Sequence, residues 1–392
     1  MADWTRKEVR EMETDTLTNV ELKKLSRSPG DREPDEDCSR KSELASIRAV
    51  SVHQFYDIFE ELGRGAFGVV HRSIEKDSGR KYLARFISTP CPVDKATVKN
   101  EIRIISQLHH PSIVHLKEAF EENHEMILIM EFLYGEDLFT RIGMEDYRTE
   151  ADVIKYIQQI CEGLKHMHEN NIVHLDLKPE NIVCDSINPY HLKMIELGLA
   201  AELKPGEIVK VTTANAGFAA PEIVDSEPIG FYTDMWAVGV LSYALLSGFS
   251  PFAGEDDLKT RQNVSRCVWD FSDQCFTEVS LQSKDFIRRL LVRNPYERMS
   301  VHESLDHAWL VGDLATRTTQ IAYTRYDAIM PRIREQYLGW PQPLIGIGGM
   351  ANFSSLRRLH PKEYHIHDAE FDHKEAAPKF LMCPRNVSVK EG

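Results

Sequence analysis

The stretch Ile172-Val-His-Leu-Asp-Leu-Lys-Pro-Glu-Asn181 sets an aspartate, a lysine and an asparagine at fixed spacing in one short segment. This spacing suits phosphoryl transfer: Asp176 would accept the proton of an attacking hydroxyl, Lys178 would steady a phosphate, and Asn181 would hold Mg²⁺. Apolar residues on both sides predict short strands that anchor the loop. Aspartate and asparagine also occur in ordinary turns, but the complete string favours the catalytic interpretation over turn chemistry.

A glycine-rich string lies upstream of this loop. Tyr56–Leu62 has a strand pattern and runs into Gly63-Arg-Gly-Ala-Phe-Gly68-Val-Val70. A G-x-G-x-x-G string also marks dinucleotide sites when a helix follows it. Here the next segment, residues 69–74, is apolar and β-branched, so we predict a hairpin that covers nucleotide phosphates rather than a Rossmann turn.

The segments around this hairpin predict a small lobe. Strand patterns recur, Asn123-His124 is a turn signal, and one helical segment carries Glu101 in its first half. We therefore predict five strands and one helix, with strands at 56–62, 69–74, 81–87, 113–119 and 126–132, the helix at 95–108, and a hinge at 131–135.

Beyond the hinge, the apolar residues recur with a helical period. Residues 151–169 carry one apolar stripe, which predicts a long helix whose stripe lies in the core rather than in a cofactor pocket. The stripe consists of Val153, Ile154, Ile157, Ile160, Cys161 and Leu164. The predicted fold class is therefore α+β, with a sheet-rich first lobe and a mainly helical second lobe.

The ordered set of motifs resembles the protein-kinase family over residues 53–310. Besides the two strings above, Ala220-Pro-Glu222 resembles the end of an activation segment, and Asp234-Met-Trp236 resembles the buried helix that follows it. Arg298 is placed where the family has an arginine that pairs with the glutamate of that segment, here Glu222. The resemblance implies a bilobal protein-kinase fold with a five-stranded N-lobe, a mainly helical C-lobe and a C-terminal regulatory tail.

Within the family, the chain is similar to the calcium/calmodulin-regulated branch and to its giant muscle members titin, twitchin and obscurin, obscurin above all. The similar strings are Met130-Glu-Phe-Leu-Tyr-Gly-Glu-Asp-Leu-Phe139, His174-Leu-Asp176, Lys204-Pro-Gly206 and Leu246-Ser-Gly-Phe-Ser-Pro-Phe252. Residues 377–392 resemble the first strand of an intracellular muscle immunoglobulin domain. The resemblance implies a cytoplasmic protein of the sarcomere, with the M-band as one location in the myofibril.

The resemblance also implies a nucleotide site between the lobes. Its members would be the flap glycines, two apolar adenine contacts, an ion pair and the hinge: Gly63, Gly65, Gly68, Val70, Ala84, Arg85, Glu101, Met130, Glu131 and Leu133. Catalysis would use Asp176 and Lys178, and metal binding would use Asn181 and Glu196.

Three departures from the family pattern fall on this chemistry. Arg85 replaces the strand lysine that would reach the phosphates; it can still pair with Glu101, but its planar fork is bulkier than an ammonium group. Glu196 replaces the aspartate that would hold Mg²⁺, and one extra methylene moves the carboxylate by about 1.5 Å, which octahedral magnesium tolerates poorly. Leu175 replaces the arginine that would bind a phosphate on the activation loop.

These departures predict a kinase fold with impaired phosphate chemistry. Positioning and electrostatics supply most of the catalysis of phosphoryl transfer, and a displacement of about 1 Å can cost about a hundredfold in rate. We therefore expect ATP and Mg²⁺ to bind weakly or not at all, and the domain to act as a pseudokinase scaffold of a giant sarcomeric protein. The alternative is a slow, autoinhibited serine/threonine kinase of muscle proteins, and a third interpretation is a purely structural link.

Residues 311–377 are predicted to form a regulatory tail and linker. Apolar residues and arginines recur at helical spacing between residues 316 and 340, as in a calmodulin target, but Pro331 would cost that helix about 3 kcal/mol. We therefore do not expect calmodulin to bind. Instead, we expect residues 315–360 to dock on the kinase body, with Phe353, Leu356, Arg357, Arg358 and Leu359 entering the cleft. A helix that completes the second lobe, followed by a linker, is the alternative.

Charge is unevenly distributed along the chain. Residues 51–314 carry 41 acidic and 26 basic groups, whereas residues 315–392 carry 8 acidic and 11 basic groups. This pattern argues against a nucleic-acid-binding surface and permits a basic tail to dock on an acidic body. The expected partners are the chain's own tail, the adjacent immunoglobulin domain, and muscle or cytoskeletal proteins, with no nucleic acid.

The cysteines and the two ends of the chain indicate the cellular compartment of the protein. Seven scattered cysteines without C-x-x-C spacing predict reduced thiols in a cytosolic protein. There is no signal-peptide pattern and no run of about 18 apolar residues, so neither secretion nor membrane binding is expected. Residues 1–52 alternate charges with little apolar periodicity and are predicted to be a disordered linker, and residues 378–392 are predicted to begin a truncated immunoglobulin domain.

Overall fold

The structure of the chain, a computed structural model, describes residues 47–65, 68–143, 147–186, 188, 190–204, 208–209, 211, 217–272, 274–277, 279–312 and 320–322. Several predicted features lie outside these described residues: the linker up to residue 46, the cleft-entering tail segment 353–359 and the immunoglobulin start at 378–392. They stay predictions.

The N-terminal lobe consists of six strands and one helix: β1 (Ile47–Arg48), β2 (Tyr56–Gly65), β3 (Gly68–Glu75), β4 (Lys81–Ser88), α1 (Pro92–Ile105), β5 (Leu116–Glu122) and β6 (Glu125–Glu131). The strands form one sheet in the order β1-β5-β6-β4-β3-β2. β1 pairs in parallel with β5, and the other neighbours are antiparallel. The five predicted strands and the predicted helix are therefore present, together with one additional strand.

The two faces of this sheet bury different sets of residues, because successive side chains of a strand point in opposite directions. One face holds an aromatic and aliphatic cluster that includes Tyr56 and Phe120. On the other face, Leu128 and Met130 pack in the main core with Ile105 of α1. This second face lies toward the helix and carries the side chains that form the cleft.

The boundaries of two elements differ from those predicted. β5 begins at Leu116, three residues later than expected, because the preceding segment pairs with the second lobe instead: Val114 N donates to Met194 O and Met194 N donates to Ser112 O, both at 2.9 Å. α1 begins at Pro92, three residues earlier than expected. Proline suits the first turn of a helix, where its missing N–H would have no partner inside the helix.

The linker predicted up to residue 52 requires a correction at its C-terminal end. Ile47 and Arg48 of β1 pair with Ala119 and Phe120. Val52 is fully buried and begins a short 3-10 helix. The composition favoured disorder, but the sheet edge offers these residues hydrogen-bond partners and an apolar contact that composition does not reveal.

The second lobe consists of mainly helical elements and short strand pairs: β7 (Gly135–Asp137), α2 (Leu138–Gly143), β8 (Tyr147–Thr149), α3 (Glu150–Glu169), β9 (Ile172–Val173), β10 (Ile182–Asp185), β11 (Leu192–Met194), β12 (Ala201–Glu202), α4 (Pro221–Val224), α5 (Phe231–Ser247), α6 (Asp257–Ser265), α7 (Leu281–Leu290), α8 (Val301–Leu305), α9 (Ala308–Val311) and β13 (Gln320–Ala322). The strands pair as β11-β10-β7, β12-β9 and β13-β8.

Two helices form the centre of this lobe. The predicted stripe of α3 is buried throughout, and the helix begins at a capping box in which Thr149 and Asp152 bond each other's backbone N–H groups. α5 is buried along nearly its whole length, as expected for a helix that is apolar all round. Within the described ranges, no helix has both the length and the apolarity needed to cross a membrane.

The first described part of the tail is extended. β13 pairs antiparallel with β8, with Gln320 opposite Thr149 and Ala322 opposite Tyr147. The helix that the alternative interpretation of this segment requires is not formed at 320–322, where the chain is extended. The strand β8 offers backbone partners here, and periodicity within the tail carries no information about such a distant partner.

Candidate active site

The loop between β9 and β10 brings the three predicted polar residues together. Lys178 Nζ donates to both carboxylate oxygens of Asp176, at 3.1 Å to Oδ1 and 2.9 Å to Oδ2. Asn181 Nδ2 donates to the carbonyl oxygen and to Oδ2 of Asp176, each at 2.8 Å. These donors fix the orientation of the carboxylate, the group that the sequence predicts to accept a proton from a hydroxyl.

A buried aspartate of α5 holds this loop in place. Asp234 accepts hydrogen bonds from the backbone N–H groups of His174 and Leu175, both at 2.9 Å, and its Oδ2 lies 2.9 Å from Nε2 of His168. Burial would raise the pKa of Asp234, but the hydrogen bond and charge of His168 hold that pKa below its usual value. Sequence reasoning did not assign Asp234 and His168 to the loop, although one carboxylate in an otherwise apolar helix was an available signal.

Leu175 has an apolar role in the structure. Its φ is 66°, in the left-handed region that a leucine seldom adopts, and its bond to Asp234 helps to hold that conformation. The side chain is 7% exposed and packs in a cluster with Val209, Val211 and Ile223. The position at which an arginine would bind a phosphate is therefore part of a small hydrophobic core.

Two of the substituted residues meet in the cleft. Nη1 of Arg85 donates to Oε1 of Glu101 at 2.9 Å, as predicted for the ion pair, and lies 3.5 Å from Oε2 of Glu196. All three side chains are buried. β4 supplies Arg85, α1 supplies Glu101, and the segment after β11 supplies Glu196, so one guanidinium joins three parts of the molecule.

The protonation of this cluster reflects its burial. Burial raises the pKa of Glu196 to about 7, and this effect outweighs the opposing attraction of Arg85. Burial would lower the pKa of Arg85, but Glu101 and Glu196 outweigh that effect and raise the pKa, so the guanidinium stays charged. Glu196 is therefore partly protonated at neutral pH.

The arrangement does not match the donor set that a magnesium ion with a nucleotide prefers. Asn181 lies next to the candidate metal ligand, because Ile195 N donates to Asn181 O at 3.0 Å. Among the described residues, however, Oε2 of Glu196 has no hydrogen-bond partner; it is buried and faces the guanidinium of Arg85. Magnesium binds ionised carboxylates in strict octahedral geometry, whereas this carboxylate is partly protonated and lies beside a fixed cation.

The glycine-rich hairpin is formed as predicted. Gly63 pairs with Val70, and Gly65 pairs with Gly68, across β2 and β3. Gly68 has a φ of +112°, and a Cβ atom there would lie 2.2 Å from the carbonyl oxygen of Phe86, so the turn requires glycine. Val70 is buried and lies opposite Arg85 on β4, which places it on the cleft face.

Ala84 is not on the cleft face, so the prediction that it contacts adenine is wrong. It packs with Tyr56 and Phe120 on the other side of the sheet. Side chains alternate along β4, so the residue that shares the face of Arg85 is Leu83, which lies opposite Met130 and packs against the main core. The prediction therefore named the residue one position away from the one that lies on the cleft face.

The predicted hinge residues lie at the end of β6 and directly after it. Met130 is buried, and Leu133 packs against the main core. The Glu131 carboxylate is directed to other partners: Oε1 accepts from the backbone N–H of His115 at 2.7 Å and lies 2.8 Å from Nζ of Lys193. These contacts fix the connection between the lobes.

Two further carboxylates lie beside the catalytic loop and were missed by sequence reasoning. β7, which contains Glu136, packs against the turn that contains Glu180. Within the described part of the chain, Oε2 of each glutamate is buried without a hydrogen-bond partner, and burial raises the pKa of Glu180 to about 7. Isolated glutamates in a short motif carry no signal of this kind.

The predicted pair of Glu222 and Arg298 is present and completely buried. Nη1 and Nη2 of Arg298 donate to the two carboxylate oxygens of Glu222 at 2.7 and 2.8 Å, and neither side chain is exposed to solvent. Arg298 also donates to the carbonyl oxygen of Tyr232 at 3.0 Å. This two-pronged contact joins the end of the activation segment to the helical core.

Comparisons with known proteins agree with this geometry. The family described as protein kinase domain matches residues 56–310. The chain is 39% identical over 374 residues to a titin homolog of Caenorhabditis elegans, covering 90% of this chain and 2% of that protein's length. A C. elegans twitchin fragment, described as an autoregulated protein kinase with immunoglobulin domains, is 47% identical with a TM-score of 0.74, covering 82% of this chain and 72% of that one. The autoinhibited serine kinase domain of the giant muscle protein titin is 34% identical with a TM-score of 0.69, covering 75% and 91%.

Proposed function

This chain belongs to the protein kinase family, and we propose that its titin- and twitchin-like kinase domain acts as a pseudokinase scaffold in a giant muscle protein. The observation that carries the proposal is the contact of Arg85 with both Glu101 and Glu196. The cation and the carboxylate that a kinase directs to phosphate and metal are here directed to each other.

The chemistry of the two groups supports weak binding of ATP and Mg²⁺. A buried guanidinium with two carboxylate neighbours gains little by turning to a phosphate, because it would leave Glu101 and Glu196 without a cation. A partly protonated Glu196 is a poor ligand for magnesium. Both effects act on one cluster, so both weaken the binding of ATP with Mg²⁺.

The rest of the body supports a binding role. The main core runs continuously from α1 to α9, and the Glu222–Arg298 and Asp234 contacts hold the activation segment and the catalytic loop. A domain with this packing presents stable outer surfaces. We propose that muscle or cytoskeletal proteins and the adjacent immunoglobulin domain bind there, at the sarcomere.

The tail is proposed to occupy the cleft. β13 attaches the start of the tail to β8, and Glu136 and Glu180 offer carboxylate oxygens suited to the basic residues Arg357 and Arg358. The twitchin and titin kinase structures are described as autoregulated and autoinhibited, which supports a docked tail in this chain as well.

Nucleotide binding tests the main proposal. In a thermal-shift titration of the full chain with the Arg357→Glu/Arg358→Glu tail, which should leave the cleft open, we expect no magnesium-dependent rise in melting temperature at about 1 mM ATP, because a ligand stabilises little while its concentration is below its Kd. The matched variant Arg85→Lys/Glu196→Asp, with the same tail, should show a rise of several degrees. A similar rise in the chain that keeps Arg85 and Glu196 would contradict the proposal.

Hydrogen exchange tests the docked tail. In the full chain, Arg357→Glu/Arg358→Glu should lower the protection of residues 63–70 and 173–181, because the acidic cleft would repel the altered tail. The control is Arg317→Glu/Arg325→Glu, which makes the same change of charge in a segment that is not expected to enter the cleft. Equal protection in all three chains would exclude docking through the arginines.

A slow serine/threonine kinase is the second candidate, and the intact arrangement of Asp176, Lys178 and Asn181 favours it. In this case the docked tail would restrain an enzyme that tolerates Arg85 and Glu196. Phosphotransfer to a basic peptide at about 1 per second, the low end for kinases, by the full chain with the Arg357→Glu/Arg358→Glu tail would support this candidate over the scaffold.

A further inference from the structure

We propose that the outer edge of the N-lobe sheet, where Glu118 lies beside the rings of Phe55 and Phe120, is a binding site for an arginine in an extended segment. In this chain the occupant is Arg48 of the N-terminal segment. The site is on the face of the sheet away from the cleft, so it does not depend on nucleotide or on the proposed function.

The contacts of Arg48 define the site. Nη1 lies 2.7 Å from Oε2 of Glu118. The guanidinium carbon is 3.8 Å from the ring centroid of Phe55 and 5.5 Å from that of Phe120. A carboxylate at one end and aromatic faces along the guanidinium plane are the two features that distinguish arginine from other cations.

The groups that build the site are also held by contacts that do not involve Arg48. Tyr56, fully buried, donates from its hydroxyl to Oε1 of Glu118 at 2.5 Å. Burial and the neighbouring Glu118 raise the pKa of Tyr56, so the hydroxyl keeps its proton at all physiological pH values. The ring centroids of Phe55 and Phe120 are 5.9 Å apart, and those of Tyr56 and Phe120 are 6.0 Å apart. The carboxylate and the rings are therefore positioned in advance.

The backbone of the occupant adds to the recognition. β1 pairs in parallel with β5, with Ile47 opposite Ala119 and Arg48 opposite Phe120. Without β1, β5 would be an edge strand with unpaired backbone groups, which is the surface that extended peptides join. The occupant must therefore be an extended segment with arginine at one position.

The N-terminal segment is attached in a way that allows it to leave. β1 has only two residues, and the Arg48 side chain is 37% exposed. Val50 is 40% exposed, whereas Val52 is fully buried. Detachment of the N-terminal segment from the sheet edge therefore breaks few contacts and stops at Val52. Such short, partly exposed contacts belong to the low-stability part of a protein. The short connection keeps Arg48 at high effective concentration near its site.

Hydrogen exchange on the full chain tests occupancy. Arg48→Ala should lower the protection of residues 47–50 and of the β5 edge by about tenfold or more, the effect of losing one charge-assisted hydrogen bond. Arg72→Ala is the matched control: Arg72 pairs with Glu60 and lies 4.2 Å from the ring of Phe59 on the same sheet, but it is not in β1. It should leave the protection of these segments unchanged.

A peptide tests the binding site itself. The acetylated peptide of residues 44–51, Leu-Ala-Ser-Ile-Arg-Ala-Val-Ser, should bind the Arg48→Ala chain at up to about millimolar concentration and restore protection of β5. It should bind the unaltered chain at least tenfold more weakly, because the site is occupied. A peptide with alanine in place of arginine should not bind either chain.

Three results would overturn the proposal. Arg48→Ala could leave the protection of β5 unchanged, which would mean that Arg48 does not hold the segment. The two peptides could bind equally, or neither could bind the Arg48→Ala chain, and either result would mean that the edge does not recognise arginine. Glu118→Gln keeps the shape of the side chain and removes its charge, so Arg48→Ala/Glu118→Gln should bind the arginine peptide more weakly than Arg48→Ala does.

Discussion

Oε2 of Glu196 lies 3.5 Å from Nη1 of Arg85, so the two residues that replace the expected metal-binding aspartate and phosphate-binding lysine contact each other. Both are buried in the cleft. The two substitutions thus form one unit: each provides the charge that makes the other tolerable in a buried position. This relationship determines what reversal of the substitutions should do.

Reversing both substitutions should restore more phosphotransfer than the sum of the single reversals. Arg85→Lys alone leaves the long carboxylate, and Glu196→Asp alone leaves the guanidinium, so neither single change rebuilds the metal–phosphate geometry. The double variant is expected to be at least tenfold more active than either single variant on a basic peptide. Because the residues are in contact, non-additivity is expected.

Initial rates of the four chains, each with the Arg357→Glu/Arg358→Glu tail, measure this coupling. Asp176→Asn in the double variant is the control, because it removes the proton acceptor and should abolish the restored rate. Strictly additive effects would mean that the two substitutions act at separate places.

Glu196 should make the stability of the protein depend on pH near neutrality. Burial raises its pKa from 4.5 to about 7 in the folded state, so the folded state binds the proton more tightly than the unfolded state. The contribution of Glu196 to the free energy of unfolding is therefore fully present below about pH 4.5 and is lost as the pH rises to about 7. Glu196→Gln removes this dependence, so its stability relative to the unaltered chain should rise between pH 5 and pH 8.

Urea unfolding at pH 5, 6, 7 and 8 checks this expectation. Between pH 5 and pH 8, the free energy of unfolding of Glu196→Gln should rise, relative to that of the unaltered chain, by on the order of 1–3 kcal/mol. Glu61→Gln, at an exposed position, is the control and should show no such gain. Parallel stability curves for Glu196→Gln and the unaltered chain would contradict the raised pKa.

Loss of Arg298 should strongly destabilise the second lobe. Arg298→Met leaves the Glu222 carboxylate completely buried without its cation, which costs about 3–5 kcal/mol. Arg261→Met removes a solvent-exposed pair with Asp257 and should cost less than about 1 kcal/mol. Chemical denaturation of both variants gives the comparison.

The double change Arg298→Met/Glu222→Leu separates the loss of a partner from the loss of packing. It removes the buried charge together with its partner, so it should recover a large part of the stability that Arg298→Met loses. A double variant that is less stable than Arg298→Met would show that the hydrogen bond to Tyr232 and the packing matter more than the pair.

Enlarging Ala84 should destabilise the first lobe. Ala84 is fully buried against Tyr56 and Phe120, so Ala84→Leu would overpack this cluster at a cost of about 1–3 kcal/mol. Leu83→Met, on the opposite face, conserves volume and should cost less than about 1.5 kcal/mol. Equal effects in thermal unfolding would contradict the assignment of the two residues to different faces.

Much of the fold could be predicted from local pattern. Strand alternation, the glycine string and the stripe of α3 each depend on residues within a few positions of one another, and the structure confirms these elements. The polar residues of the catalytic loop are also close in sequence, so their meeting around Asp176 follows from one short loop. The boundaries of β5 and α1 differ from the predicted ones. For β5, contacts with the second lobe outweighed the apolar pattern, and for α1, a proline at the first helical turn did.

The assignment of Ala84 shows where this reasoning fails. A strand inverts the direction of its side chains at every residue, so an error of one position exchanges the two faces of the sheet. Ala84 and its neighbour Arg85 cannot lie on the same face of β4, so alternation alone already excludes Ala84 from the cleft face. The register of β4 with β6, in which Leu83 lies opposite Met130, agrees with this assignment.

The sequence by itself determined the family, the order of the elements and the identity of the substituted residues, because these depend on residue types at short spacing. Only the tertiary structure decided which charges meet. Arg85 and Glu196 are brought together by the packing of β4, α1 and the segment after β11, and Arg48 meets Glu118 only because β1 joins the edge of β5. Contacts between segments that are distant in the chain depend on how whole elements pack, and no local periodicity encodes them.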